Sequence, residues 1–367
     1  MLENGKISVR QFTILLILFI VGGSILVVPS QLASEAKQDA WIAAILGLVL
    51  SLSLVMLYNA LGSRFPDMTL AQYSEEILGK WIGKVVSLLF FFYFFEHTAG
   101  LLRLIGDFMT TQIMPETPIQ AIHIIFLSII IMGVRLRIEP IARASEIFFP
   151  WFILLFFILV ISISPHIEVE KIQPIGEEVK PIVSGAFQFL GLPFLQLEVF
   201  LILYPYINRK KEVKKFYLLG TLIGGVFLIV ITFLSIAVLG ADQSTRQMYP
   251  SYSLARKINI GDLFQRVEAI MAFIWFITVY FKMAITFYAS TLIFAQTFKL
   301  KDYRFLTFPL GIIIIVLSIV DFPNIVYFKQ FIKTIWTPYS LTYGLFLPLV
   351  LLGVAMLRKK RGNSGSY

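Results

Sequence analysis

The sequence predicts an all-α protein that crosses a membrane many times and carries no separate soluble domain. Hydrophobic residues make up 58% of the 367 positions, and charged residues only 14%. A water-soluble fold cannot bury that much apolar surface. Apolar stretches also recur along the whole chain, and many of them reach the roughly 20 residues that one helix needs to cross the hydrocarbon. Together, composition and length place the chain among polytopic membrane proteins.

We predict ten transmembrane helices, which form a single transmembrane domain over residues 1–367 because the connections are too short for another domain. Helix boundaries predicted from hydrophobicity alone are uncertain by about 2–4 residues. The predicted spans are roughly 11–34, 41–62, 82–112, 118–133, 140–163, 183–205, 214–240, 263–297, 304–320 and 336–357.

The distribution of charge predicts that both termini lie in the cytoplasm. Most of the 31 Lys and Arg residues fall on the two termini and on the even-numbered loops. The clearest cases are NRKKEVKK at 208–215 and RKKR at 358–361, whereas the odd loop at 164–182 is rich in glutamate. Cytoplasmic loops carry the excess of positive residues. The net charge of +9 follows from this asymmetry, so we expect the lipid bilayer, and no nucleic acid, as the large-scale partner.

The first span has a weak point at its centre. The stretch FIVGGSILVVPSQ at 19–31 places Gly22, Gly23, Ser24 and Pro29 inside an apolar run. Glycine adds conformational freedom to a helix, and proline removes a backbone donor. The sequence therefore predicts that span 1 is interrupted.

Span 6 has a matching interruption at Gly191 and Pro193. It opens the second half of the chain as span 1 opens the first, and the third span of each half is unusually long. Five spans cross a membrane an odd number of times, so the two halves have opposite orientations. These features predict two inverted five-helix repeats over about 11–163 and 183–357.

Interrupted helices expose backbone N–H and C=O groups, which are tolerated only where they line a cavity or meet a polar ligand. The amino end of a half-helix suits an anion such as a carboxylate, and free carbonyls suit an ammonium group. The pair therefore favours a small zwitterion. The alternative, that Gly and Pro merely kink the helices or permit close packing, stays open.

Several segments carry a resemblance to a known family. The segments SILVVPS, EEILGKWIGK, ETPIQAI, LPFLQLEVFLILYPYI and WFITVYFKMAITFYAS resemble those of the B subunits of Ger-type spore germinant receptors. These proteins form a branch of the amino acid–polyamine–organocation transporter superfamily. The resemblance covers essentially the whole chain, and it rests on the order and spacing of the segments together.

The resemblance implies a ten-helix fold with inverted repeats, in the inner membrane of a bacterial endospore. It implies a complex with an A subunit and a C subunit, the latter a lipoprotein. It also implies that the chain senses a small-molecule germinant, with amino acids like L-alanine as first candidates, although another amino acid, a sugar or a mixed signal stays open.

Candidate ligand-binding residues lie at the two breaks and on the two long spans that should face them. Polar and ionisable groups inside a membrane are costly and often functional. The candidates are Gly22, Gly23, Ser24, Ile25, His97, Leu190, Gly191, Leu195, Thr278 and Lys282. Lys282 is too deep in span 8 to reach the membrane surface, so its side chain should face the protein interior.

Three further residues are expected to have coupling or structural roles. Arg103 and Asp107 are four residues apart on span 3, which predicts an ion pair within one helix. Glu198 follows the break in span 6, where it could stabilise the interrupted backbone or pair with Lys282 or an arginine. Glu96 is expected to point away from His97 towards another helix.

Two functions from different classes remain open. One is a receptor subunit that binds a nutrient and signals to partner subunits, and the other is a proton-coupled amino acid permease. The lysine on span 8 disfavours a sodium ion nearby. We expect no enzymatic activity, cofactor or metal site, because the sequence contains no metal-ligand cluster, phosphate-binding loop or nucleophile–base pair.

Overall fold

A computed structural model describes residues 3–257 and 267–362. Arg266, which the sequence analysis places in span 8, lies outside the described residues. Within them the chain is helical and contains no β-strand, and a single parallel bridge joins Ile7 to Ile207. The all-α prediction is therefore confirmed for the described residues.

The α-helices are numbered here along the chain. The first eight are α1 (Val9–Val21), α2 (Ser24–Ala36), α3 (Ala40–Arg64), α4 (Leu70–Leu78), α5 (Lys80–Phe108), α6 (Ile119–Arg135), α7 (Ile138–Ile163) and α8 (Val179–Gly191). The others are α9 (Phe200–Leu203), α10 (Val213–Leu239), α11 (Ala241–Arg246), α12 (Pro250–Arg256), α13 (Val267–Thr297), α14 (Thr307–Val320), α15 (Ile325–Phe331), α16 (Thr337–Leu341) and α17 (Leu347–Leu357).

Seven helical segments of the described chain are long and apolar enough to cross a membrane. They are Ser24–Arg64, Lys80–Ile113, Ile138–His166, Val179–Tyr206, Lys210–Leu239, Glu268–Thr297 and Ile325–Leu357. Three shorter apolar helices accompany them, at Val9–Val21, Ile119–Arg135 and Arg304–Val320. These segments overlap all ten predicted spans, and the chain is a multi-pass membrane protein.

The last helical segment differs from its prediction. It begins at Ile325 rather than near 336, and two π-helical turns, Ile332–Trp336 and Thr342–Phe346, interrupt it. The prediction leaves its first part as a connection between two spans. Lys329 instead donates to the carbonyl of Thr245 on the neighbouring connection.

The outer surface of the bundle is apolar. Trp81, Ile125, Ile161 and Ile312 each expose more than half of their side-chain surface. A water-soluble monomer does not leave so many large apolar side chains uncovered, whereas lipid tails accommodate them. The interior is built around α13, which packs against α5, α1 and α7.

Candidate functional site

The break in span 1 consists of two glycines that no larger residue can replace. Helix α1 ends when the N–H of Gly22 donates to the carbonyl of Leu18 at 2.8 Å, and Gly23 adopts the left-handed region at φ 71°. A Cβ atom on Gly22 would lie 2.4 Å from the carbonyl oxygen of Thr278. The break therefore allows α1 to contact the backbone of α13 and lets α2 start in a new direction.

The break in span 6 has a different construction. Helix α8 ends at Gly191, and the chain continues after Pro193 as a 3₁₀-helix over Leu195–Val199. The carbonyl of Gly191 accepts hydrogen bonds from Trp336 Nε1 at 3.2 Å and from Gln196 Nε2 at 3.3 Å. Side chains thus replace part of the helical hydrogen bonding that the break removes.

Lys282 connects the two breaks. Its side chain is buried, and Nζ donates to the carbonyl of Leu192 in the span 6 break at 3.1 Å. The same nitrogen lies 4.9 Å from the centre of the Phe19 ring on α1, near the end of that half-helix. A charged ammonium in an apolar interior needs such partners, since an isolated charge there is very costly.

Glu198 is not the partner of Lys282. It is completely buried, and neither carboxylate oxygen has a hydrogen-bond partner among the described residues. No ion pair joins the two side chains within 4.0 Å in the described chain, so the suggested Lys–Glu pair does not form here. Lys282 is directed at the interrupted backbone instead.

A cavity lies beside the span 1 break, between α5 and the segment that follows α14. Its volume is only about 40 Å³, which leaves room for little more than ordered water. It is lined by three of the predicted site residues, Gly23, His97 and Lys282. These three come from α5, α13 and the break itself.

Other lining residues were not among the predicted site residues. Leu192 lies in the span 6 break, and Phe322 and Phe328 come from the stretch between the spans predicted at 304–320 and 336–357. Trp336 comes from the start of the last predicted span. Glu96 also lines the cavity while its carboxylate accepts a hydrogen bond from Tyr339 at 2.7 Å. Aromatic residues after a hydrophobic span were the available signal for this wall, but their sequence neighbours are polar.

Most of the remaining predicted residues lie in the walls around the breaks. Thr278 donates to the carbonyls of α13 itself, and the carbonyl of Leu195 accepts a hydrogen bond from Tyr58 at 3.3 Å. The carbonyl of Ile25 accepts one from Ser251 at 2.6 Å. Gly22, Leu190 and Gly191 are buried close to these residues without lining the cavity.

Two buried polar atoms near the cavity lack partners in the described chain. They are Nδ1 of His97 and the hydroxyl of Ser24. No side chain caps the amino end of α2, which begins at Ser24. Buried polar groups are nearly always satisfied in native proteins. A ligand or water that meets these groups would satisfy them.

The ion pair predicted on span 3 is present. Arg103 Nε lies 2.9 Å from Asp107, and both side chains are buried. Arg103 also donates through Nη1 to the carbonyl of Phe322, a cavity-lining residue. The pair thus ties α5 to the segment that covers the cavity. Among the described residues, no group of three or more His, Cys, Asp or Glu side chains is placed to hold a metal ion.

The electrostatics of the site are mixed. Lys282 and the uncapped amino end of α2 supply positive charge, since the amino end of a helix carries about half an elementary charge. Glu96 supplies an acceptor on the cavity wall, whereas the carbonyl of Leu192 already accepts a hydrogen bond from Lys282. A group with opposite charges at its two ends matches this arrangement.

Comparison with solved structures defines the class. The chain superposes on MhsT, solved in complex with L-phenylalanine, with a TM-score of 0.73 at 13% identity, covering 96% of this chain and 99% of that one. It superposes on Mhp1, a nucleobase-cation-symport-1 family transporter, with a TM-score of 0.67 at 13% identity, covering 97% and 79%. The fold is therefore that of a transporter with interrupted helices.

Sequence comparison then gives the family. A family model described as "Spore germination protein" matches residues 6–326. Spore germination protein KB of Bacillus subtilis (strain 168) is 29% identical over 365 residues, covering 98% of this chain and 97% of that protein. Spore germination protein YndE of the same strain is 28% identical over 301 residues, covering 81% and 83%. The chain belongs to the spore germination protein family.

Proposed function

We propose that this protein is the germinant-sensing subunit of a spore nutrient receptor and binds a small amino acid between the two helix breaks. The observation that carries the proposal is Lys282, whose ammonium binds the span 6 break and whose side chain passes beside Gly23 at the uncapped amino end of α2. The chain combines a transporter fold with membership of the germination protein family, and this combination supports a sensor role for the site.

In this proposal the ligand carboxylate meets Lys282 and the first N–H groups of α2. Charge-assisted hydrogen bonds of this kind are about twice as strong as neutral ones. The ligand ammonium meets Glu96 on the cavity wall, because the carbonyl of Leu192 is already occupied by Lys282. The cavity is narrow, so binding requires the segment with Phe322 and Trp336 to move outwards. That movement is the conformational signal.

A proton-coupled amino acid permease is the second candidate. The buried, unpartnered carboxylate of Glu198 favours it, because such a group is costly unless it carries a proton or meets a cation. Lys282 also occupies a position beside the breaks that would repel a sodium ion.

We further propose ten membrane-spanning helices in two inverted repeats, about 11–163 and 183–357, with both termini in the cytoplasm. The three shorter apolar helices complete the count if α1 and α2 form one interrupted span. The breaks then fall on the first span of each repeat. The basic residues of the termini and even loops support this orientation.

The proposed location is the inner membrane of the endospore, and the proposed partners are the A and C subunits of the receptor. Membership of the germination protein family supports both. Deletion of either partner should lower the amount of this chain in spore membranes or abolish its response, and a full response by the chain alone would contradict the proposed complex.

Binding and uptake assays on the purified protein distinguish the two functions. Ligand binding is measured on the purified chain with a panel of amino acids, and uptake of the best ligand is measured in liposomes with and without a proton gradient. Binding without uptake supports the sensor, and uptake against a concentration gradient supports the permease. Absence of binding across amino acids, with binding of a sugar, would overturn the zwitterion site.

A further inference from the structure

The segment before α1 is held firmly by the rest of the protein. Ile7 forms a short parallel bridge with the end of span 6, where its N–H donates to the carbonyl of Tyr206 at 2.9 Å and its carbonyl accepts from Asn208 at 3.0 Å. Further along, Gln11 donates to Glu146 on α7 at 2.9 Å. The amino-terminal segment, residues 3–8, therefore contacts parts of the chain from both halves.

A buried carboxylate lies at the start of this segment. Glu3 is completely buried, and one oxygen accepts from the N–H groups of Asn4 and Gly5 at 2.9 and 2.7 Å. The other accepts from the hydroxyl of Tyr288 at 3.2 Å and lies 3.4 Å from that of Tyr303. These tyrosines belong to α13 and to the connection that follows it.

Arg137 completes the cluster from the corner between α6 and α7. Its guanidinium lies 3.7 Å from the Glu3 carboxylate. Its backbone has φ 77° and ψ 179°, a region that only glycine normally adopts, at a cost of about 1–3 kcal/mol. Such strain persists only where the surroundings enforce it, and here it directs a cation at a buried acid.

We propose that Glu3 is a latch that holds the amino-terminal ends of α1 and α7 against the carboxyl-terminal half of α13, and that its release opens this face of the protein. Tyr288 is six residues from Lys282 on α13, which is about 9 Å along the helix. The latch thus lies between the proposed ligand site and the carboxyl-terminal end of α13.

The sequence itself supplies a clean test, because the chain contains no cysteine. A single reporter, Ser290→Cys, sits on α13 at a buried position near Tyr288. A second reporter, Ser244→Cys, is equally buried in the connection after α10. The rate of maleimide labelling of each reporter is measured on the purified full chain in nanodiscs, without ligand, so the result does not depend on the proposed function.

We expect maleimide to label Ser290→Cys at least about tenfold faster in the Glu3→Ala protein than in the protein that retains Glu3. The labelling rate at Ser244→Cys should stay unchanged. Glu3→Gln keeps an oxygen acceptor for the tyrosines and should give an intermediate rate. The matched control is Glu139→Ala, which removes an exposed carboxylate that pairs with Arg143 at 2.5 Å near the same corner. It should leave both rates at the wild-type value.

The Arg137→Gly variant distinguishes release of the latch from a general loss of stability. It removes the guanidinium and relieves the backbone strain at once, so labelling at Ser290→Cys should accelerate while the melting temperature holds or rises. Unchanged labelling at Ser290→Cys in Glu3→Ala would overturn the proposal. Equal acceleration at both reporters would also overturn it, since that result means a loosened fold rather than an opened face.

Discussion

The two helix breaks differ in how they meet the rest of the protein. The break in span 1 presents the amino end of α2 with no side-chain cap, and Gly22 lies against the backbone of α13. The break in span 6 presents carbonyls, of which Gly191 and Leu192 accept hydrogen bonds from Trp336, Gln196 and Lys282. One break thus offers donors and the other offers acceptors that are already occupied.

This difference suggests that the two breaks have different roles in ligand binding. The unsatisfied donors of the first break suit the ligand anion, and the satisfied carbonyls of the second hold Lys282 in place to assist. Substitutions in span 1 should therefore act on ligand binding through geometry, whereas those around span 6 should act through the position of the lysine.

The largest effect is expected from Gly22→Leu. A Cβ at this position would meet backbone atoms of Thr278 at 2.4 and 2.7 Å, and backbone cannot move aside as a flexible side chain can. Overpacking in a well-packed interior costs about 1–3 kcal/mol or more. We expect ligand binding to disappear, with a lower melting temperature, measured by calorimetry on purified protein. Gly353→Leu is the control, since no atom lies within 4 Å of a Cβ there. Normal binding in Gly22→Leu would show that the close approach of α1 and α13 is dispensable.

Lys282→Met should lower affinity by roughly 10- to 150-fold, because a hydrogen bond to a charged group contributes about 1.5–3 kcal/mol. The control is Lys214→Met, an exposed lysine on α10. Both proteins should reach the membrane in equal amounts. A Lys282→Met protein that binds as the wild type does would remove this lysine from the site.

A smaller effect is expected from Trp336→Phe, which keeps the aromatic wall and removes the hydrogen bond from Nε1 to Gly191. Loss of one neutral hydrogen bond costs about 0.5–1.5 kcal/mol, so affinity should fall by up to about tenfold. Trp275→Phe on α13 is the control, since its Nε1 has no partner in the described chain. Equal losses of ligand affinity in both variants would mean that the hydrogen bond to Gly191 does not account for the effect of Trp336→Phe.

The smallest effect is expected from Tyr339→Phe, which removes the hydroxyl that donates to Glu96 on the rim of the cavity. Glu96 is partly exposed and can meet water instead, so affinity should change by less than about threefold. A loss as large as that of Lys282→Met would mean that the hydroxyl of Tyr339 itself contacts the ligand.

The sequence was informative where local chemistry decides the structure. Apolar runs placed the helices, and Gly22, Gly23, Gly191 and Pro193 marked both breaks, because glycine and proline act on their own backbone. The ion pair of Arg103 with Asp107 followed from helical spacing alone.

Long-range contacts could not be read in the same way. The partner of Lys282 is the carbonyl of Leu192, and nothing in the identity of a leucine signals that role. The cavity wall from Phe322 to Ile332 falls between the spans predicted at 304–320 and 336–357, so the sequence analysis did not identify it as part of a helical segment. The buried position of Glu3 depends on tyrosines about 285 and 300 residues away, so nothing in its local sequence points to it.

The central claim is that the carboxylate of a zwitterionic ligand contacts Lys282 beside the first break. It is tested most directly by a double-mutant cycle between protein and ligand. The affinities of the best amino acid and of its uncharged carboxamide are measured for the wild type and for Lys282→Met. We predict that the carboxamide binds the wild type roughly 10- to 150-fold more weakly but binds Lys282→Met about as well as the acid does. An equal penalty for the carboxamide in both proteins would contradict the claim, because the carboxylate would then be recognised elsewhere.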